Sequence, residues 1–408
     1  METLHPICCG LDVHQASVTA CLRRATAENT VSVEKREFST TVQGLTQMGE
    51  WLTEAGCPIA AMESTGVYWK PVYHILSATM EVWVVNARDV KHRRGKKTDP
   101  ADAKWIAELL AYGLIEPSFI PPPPIAALRD VIRMRTALVQ TRTQAKNRVL
   151  AVLEDTNVKL ASVVSDPFGV SGRKMMEALI RGEQDPKALS QMAKGVLRRK
   201  IPQLEAALEG SFTVHHALLV RLNLDTIDHI NVQMDKLEEQ IEKMIAPWQK
   251  EVEHLESIPG VDRTAARIVL SEIGTDMSRF GSASRLASWA GVCPGNHESA
   301  GKRKSGKTRR GNRYLRRVLA ECAWATKKTD SFLGRTFRRL EARIGGKKAA
   351  VAVGHKILVI VYHLVNEGTM YEDGRYNRPK PKEEARQLKR AMWTLQRLGY
   401  QVQLSPAA

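Results

Sequence analysis

The sequence predicts an α/β fold at the N-terminus and a mainly helical remainder. Over the first 86 residues, short runs with apolar side chains at every second position alternate with helix-period runs. Four consecutive prolines from Pro121 then interrupt the chain, and beyond them the apolar positions recur almost entirely with helical spacing. A period of two sorts side chains onto the two faces of a strand, and a period near 3.6 gathers them on one face of a helix.

In order, ICCGLDV, SVTACL and VSVEKREF read as strands, VQGLTQMGEWLTEAG as a helix, IAAME as a strand, YWKPVYHILSA as a helix and EVWVVN as a strand. That is the order of a ribonuclease-H-like sheet, in which the first and fourth strands are neighbours. Asp12 and Glu63, 51 positions apart, are therefore expected side by side. A basic loop follows with Lys91, Arg93, Arg94, Lys96 and Lys97, and then a helix from Asp99 to Tyr112. Asp99 and Asp102 stand at i and i+3 and share one of its faces. An amphipathic helix over 125–155 carries Arg142, Lys146 and Arg148 in its polar middle.

Residues 156–224 give little to read. From Ile227, the positions Ile227, Ile230, Met234, Leu237, Ile241 and Met244 step by three and four, a short heptad seam. The seam suits an oligomerising helical hairpin or an ordinary helix packed within one chain. At LESIPGVDRTAARIVL a helix stops and restarts around Ile-Pro-Gly in the manner of a helix-hairpin-helix. Such a turn offers backbone N–H groups to a phosphate, but Asp262 places a negative charge there, so a structural junction is the alternative. Residues 302–317 hold Lys302, Arg303, Lys304, Lys307, Arg309, Arg310, Arg313, Arg316 and Arg317 and no acid. The stretch 351–365, interrupted by His355, Lys356 and His363, reads as a buried helix returning to the first domain, too short and too polar to span a bilayer. The expected domains are 1–155, a helical region 156–250, a second nucleic-acid-handling domain 251–345, and a C-terminal helix with a polar tail, 346–408.

Composition narrows the function. A chain of 408 residues, 43% apolar, can bury several cores and is not a disordered tail. Its formal charge of +17 points to a polyanionic partner, and nine cations without one counter-charge in 302–317 point to nucleic acid in particular. The six cysteines lack paired CxxC spacing and are expected as reduced thiols, and no basic-then-apolar leader opens the chain, so a cytoplasmic protein without a membrane partner is expected.

An acid in mid-strand beside Cys8, Cys9 and Leu11 is costly to bury without a cation. Asp12, Glu63, Asp99 and Asp102 are hard oxygen donors of the type and number that hold magnesium, and two such ions can clamp the attacking and leaving oxygens of a phosphodiester. Asp99, between Thr98 and Pro100, is also placed as a helix cap, a role compatible with metal binding.

GLDVHQ, MESTGVYW and KTDPADAKWIAELL, followed by ESIPGV and a serine-bearing, Arg-rich segment, resemble the DEDD-motif insertion-sequence transposases, the family that includes the Piv-type DNA invertases. The resemblance covers the first 155 residues and about 253–345. It implies a RuvC-like N-terminal domain, a coiled-coil insertion, and a C-terminal transposase domain whose serine attacks DNA while the acidic tetrad holds magnesium against the same phosphate. Carried onto this chain, that serine is Ser299 in NHESAGKRKSG, with Ser305 as competitor; Ala300 stands where the family often has glycine. The resemblance further implies a homo-oligomer, dimer or tetramer, in which serine and acids from different subunits meet, and a structured guide RNA that pairs with DNA. A metal-dependent Holliday-junction-type endonuclease using activated water is the alternative activity, and a non-catalytic nucleic-acid-binding scaffold is the alternative without chemistry.

Overall fold

The computed structural model describes residues 3–25, 30–64, 66–86, 102–295, 297–299, 302–306, 308, 311–376 and 381–401. The chain divides into two compact units, Met1–Ile120 and Pro121–Ala408.

The first unit contains the expected series: β1 (Ile7–Val13), β2 (Ser17–Ala25), β3 (Val31–Ser39), α1 (Val42–Glu54), β4 (Ile59–Glu63), α2 (Trp69–Leu76), β5 (Glu81–Val85) and α3 (Asp102–Ala111). The strands lie in the order β3-β2-β1-β4-β5. The first three are antiparallel, and β4 and β5 continue parallel to β1. Both faces of the middle strands are covered, which is why their sequences are apolar almost throughout. Cys9, Leu11, Ala60 and Met62 pack under α1 and α2, whereas Cys8, Ile59 and Ala61 pack under α3.

In the second unit, α4 (Pro123–Asp155) runs against α6 (Val214–Ile245), with α5 (Val170–Ile180) and shorter helices between them in sequence. The helix 123–155, assigned by sequence to the first domain, packs here instead. Residues 156–224 form a small helical cap around Val149, Leu153, Met175, Leu179, Leu204 and Leu224. Of the heptad seam, Ile227, Ile230, Met234 and Ile241 are buried, and α4 of the same chain is the main helix against them. The seam is thus occupied within the chain, as the ordinary-helix alternative requires.

The remainder comprises α7 (Gln249–Glu256), α8 (Arg263–Ile273), α9 (Ala283–Ala290), a hairpin of β6 (His297–Ser299) and β7 (Lys302–Ser305), then α10 (Arg313–Thr326), α11 (Phe332–Ile344), α12 (Gly346–Glu367) and α13 (Pro381–Arg397). At the Ile-Pro-Gly turn between α7 and α8, the Asp262 carboxylate accepts from the Ala265 amide at 2.7 Å. A Cβ on Gly260 would lie 2.7 Å from the Cys322 carbonyl of α10, so the turn is packed against a helix. The Asp262 cap thereby takes a helix amide that a phosphate would use.

The helix expected over 351–365 is longer, 22 residues, and packs against α9, α10 and α11 of its own unit. Among the described residues it alone is long and apolar enough to cross a membrane, contrary to the expectation from its three polar interruptions. Its apolar residues Val353, Ile357, Leu358, Val361 and Leu364 are buried in the protein core.

Candidate nucleic-acid-processing site

The acidic residues of the first unit converge through the sheet. The parallel register pairs Cys9 with Ala60, Gly10 with Ala61 and Leu11 with Met62, so Asp12 and Glu63 follow at adjacent strand ends. Alternation assigns both to the α3 face: Cys8 and Gly10 precede Asp12 there, and Ile59 and Ala61 precede Glu63. Asp12 and Glu63 are half-buried.

α3 begins at this same end. A Cβ on Gly10 would lie 2.0 Å from the Ala103 carbonyl, and two residues earlier the Cys8 thiol donates to the Ala107 carbonyl at 3.5 Å. As β1 advances, its contacts retreat along α3, so the helix runs antiparallel to the strand and its start lies toward Asp12. Asp102 stands in its first turn, exposed, where the positive end of the helix dipole favours a carboxylate. Only glycine at position 10 permits this close approach.

Asp12 Oδ2 lies 3.2 Å from Nε2 of the exposed His14, a neighbour that the sequence reading missed. Three carboxylates on one face of one sheet end suit a hard divalent cation in donor type and placement. Among the described residues, no group of three His, Cys, Asp or Glu side chains is close enough to hold an ion as it stands. Asp99 lies outside the described residues, as do Lys91, Arg93, Arg94, Lys96 and Lys97.

Ser299 ends β6, its backbone opposite Lys302 across the hairpin, whereas Ser305 lies at the other end opposite His297. Arg303 pairs with Glu298, and Lys304 lies between them and Ser305 on β7. Lys307, Arg309 and Arg310 lie outside the described residues. Arg313 is exposed in the first turn of α10 and donates to the Tyr314 hydroxyl at 2.8 Å.

The three cations proposed on α4 differ from one another. Arg142 Nη1 donates to Asn231 Oδ1 at 2.8 Å, and Lys146 Nζ sits 4.9 Å from the centre of the Phe168 ring. Both are half-buried, Arg142 tied to α6 and Lys146 to the cap, whereas Arg148 is exposed.

A buried hub behind the hairpin was not foreseen. Glu272 of α8 is fully buried and accepts from Nε and Nη2 of Arg133, each at 2.8 Å. Asn312 Nδ2 donates to its Oε2 at 2.5 Å, and Asn312 Oδ1 caps α10 by accepting from the Tyr314 and Leu315 amides. Arg129 donates to the carbonyls of Ser271 and Glu272 at 2.9 and 2.7 Å. Burial lowers the Arg129 guanidinium to about 10. For Arg133 burial also disfavours the charge, but the Glu272 hydrogen bonds and charge outweigh it and the net shift is upward. The hub joins α4, α8 and the start of α10, where the chain leaves the hairpin. Its signal was an acid in the apolar run IVLSEI, the same pattern that singled out Asp12.

The six cysteines are free of disulfides, as expected.

Comparison with known proteins places this arrangement. Residues 9–158 match one family model described as a transposase, and residues 252–337 match that of the IS116/IS110/IS902 transposase family, together more than half of the chain. A probable family 20 transposase of Pseudomonas aeruginosa is 25% identical over 78% of this chain and 86% of its own length. The transposase for insertion sequence element IS1111A of Coxiella burnetii is 23% identical over 84% of each chain. The transposase for IS1328 of Yersinia enterocolitica is 22% identical over 78% of this chain and 87% of its own.

Proposed function

The chain belongs to the IS116/IS110/IS902 family of insertion-sequence transposases, and from that premise we propose that it recombines DNA through a covalent phosphoserine at Ser299. The observation that carries this reading is the convergence of Asp12, Glu63 and Asp102 at the sheet end where α3 begins. With Asp99 they would hold magnesium, in a RuvC-like domain to which the strand order corresponds. Magnesium, when bound, neutralises phosphate charge and lowers the pKa of a hydroxyl close to it.

The Ser299 Oγ attacks phosphorus, the bond from phosphorus to one bridging DNA oxygen breaks, and the serine proton is passed on to solvent while the departing oxygen becomes a DNA hydroxyl. The number of phosphoester bonds is unchanged, so a second DNA hydroxyl can reverse the step and join a new strand without a further co-reactant. Ser299 at the end of a two-stranded hairpin suits a nucleophile that must reach an acidic group elsewhere, here that of another subunit in a homo-oligomer, dimer or tetramer. Exposed cations such as Arg148 and Arg313, with Lys302, Arg303 and Lys304 on the hairpin, would hold DNA and a structured guide RNA through phosphates. The protein would act in the cytoplasm, with the catalytic domain ending before the long helix 123–155 and further domain limits near 250 and 345.

The test is recombination of a DNA element with its flanks, with and without its transcribed RNA, by wild type, Ser299→Ala, Ser305→Ala and Asp12→Ala. Loss with Ser299→Ala and Asp12→Ala but not Ser305→Ala supports the reading. Undiminished cleavage by Ser299→Ala would assign a hydrolytic endonuclease instead, and full-rate recombination without RNA would remove the guide.

A further inference from the structure

We infer that the first unit carries a second phosphate-binding site, separate from the carboxylates, in which Arg23 and Lys104 grip a phosphodiester of the nucleic-acid strand along the flank of α3. A cavity of about 450 Å³ opens there, lined by Cys21 and Arg23 of β2, Val31 and Val33 of β3, and Lys104, Glu108 and Tyr112 at α3 and its end.

Arg23 is 3% exposed, and its Nη1 is buried without a hydrogen-bond partner. Its Nη2 makes one long bond, 3.4 Å to the Tyr112 hydroxyl, and the guanidinium lies 5.2 Å from the centre of that ring. A buried guanidinium N–H left unpaired costs more than a neutral one, so this position calls for an acceptor, preferably an anionic one. Glu108 shares the cavity, and no bond from it to Arg23 satisfies Nη1. Lys104 is exposed on the same wall. Val31 and Val33, 45% and 44% exposed, offer an apolar surface to a sugar or a base beside the phosphate.

The placement favours a nucleic-acid strand over a free anion. Cys21 and Arg23 pair with Gly10 and Cys8, so the cavity lies on the face of the sheet that bears Asp12. Arg23 stands level with Cys8, four residues before Asp12, about 13 Å along the strand at ~3.3 Å per residue. A stacked strand covers that in about four nucleotides at a rise of ~3.4 Å each. A strand whose reacting phosphate sits at the carboxylates would bring a later phosphate to Arg23. The spacing rests on the proposed function, but the binding does not.

The experiment is binding of the full-length protein to a single-stranded oligonucleotide in EDTA, as a function of salt, for wild type, Arg23→Met and Lys104→Gln. Losing one phosphate contact should lower the slope of log K against log salt by about 0.7, and Lys104→Gln, a surface change, guards against misfolding of the other variant. Single methylphosphonates, walked along the first several phosphates from the reacting one, should weaken wild type at one position near the fourth and leave Arg23→Met indifferent there. Unchanged slopes in both variants, or a methylphosphonate profile the same in wild type and Arg23→Met, would mean that water and not a phosphate satisfies Arg23 and would overturn the proposal. Because no divalent ion is present, the slopes stand or fall independently of whether Ser299 reacts.

Discussion

Glu272→Gln tests whether the buried hub holds the hairpin-bearing half of the second unit. Glu272 has no exposure, two hydrogen bonds from Arg133 and one from Asn312. Gln keeps the shape but removes the charge that compensates the buried Arg129 and the one-third-exposed Arg133. Removing one partner of a buried ion pair costs about 3–5 kcal/mol, and partial exposure of Arg133 takes the estimate to the lower end, about 3 kcal/mol. At ~2 °C per kcal/mol for a unit of this size, the melting temperature should fall by about 6 °C. Calorimetry reads the shift, and hydrogen exchange of the α8 and α10 amides localises it. Since an apolar pair of similar volume can replace a buried ion pair, Glu272→Met with Arg133→Met should recover at least half of the loss. A Glu272→Gln melting temperature within 1–2 °C of wild type, or loss confined to the first unit, would refute the hub.

Other substitutions and titrations follow from the same structure. Gly10→Ala drives a Cβ into the backbone of α3, and overpacking that no rotamer relieves should cost about 3 kcal/mol; retention of wild-type melting and recombination would contradict the tight β1–α3 approach. Burial raises the thiols of Cys8 and Cys322 to about 12 and of Cys57 to about 11, so a disulfide reagent at pH 8 should modify the half-exposed Cys293 first and the others only on unfolding, as mass spectrometry will show. Burial would raise the Glu177 carboxyl, but hydrogen bonds and charge from Arg221 and Arg173 outweigh it and lower its pKa below 4.5. The stability it adds is full above about 4.5 and fades as pH falls through the lowered value, so Glu177→Gln should flatten the acid limb of a melting-temperature profile and leave its alkaline limb unchanged.

The N-terminal sheet was legible because strand alternation and helical periodicity are local signals, and the resulting order alone brings Asp12 beside Glu63. The start of α3 beside them was legible only as a helix; its close approach to β1 depends on Gly10, whose lack of a Cβ matters once the two elements meet. Periodicity in 227–244 identified a buried seam but not its partner, since a heptad pattern is blind to which chain fills it; α4 does. Arg142 and Lys146 looked like free cations because Asn231 and Phe168, which engage them, are distant or featureless in sequence. Glu272 shows the limit of the rule that a buried acid needs a cation: at Glu272 the cation is Arg133, 139 positions away.

The central claim is a covalent serine–DNA intermediate at an acidic magnesium site. The most direct measurement is to incubate the protein with its element DNA and magnesium, denature, digest, and identify by mass spectrometry the peptide that carries a nucleotide. The account predicts a nucleotide on Ser299, absent with Asp12→Ala or Asp102→Ala and absent in EDTA. Cleaved DNA with no adduct, or an adduct on Ser305, would contradict it.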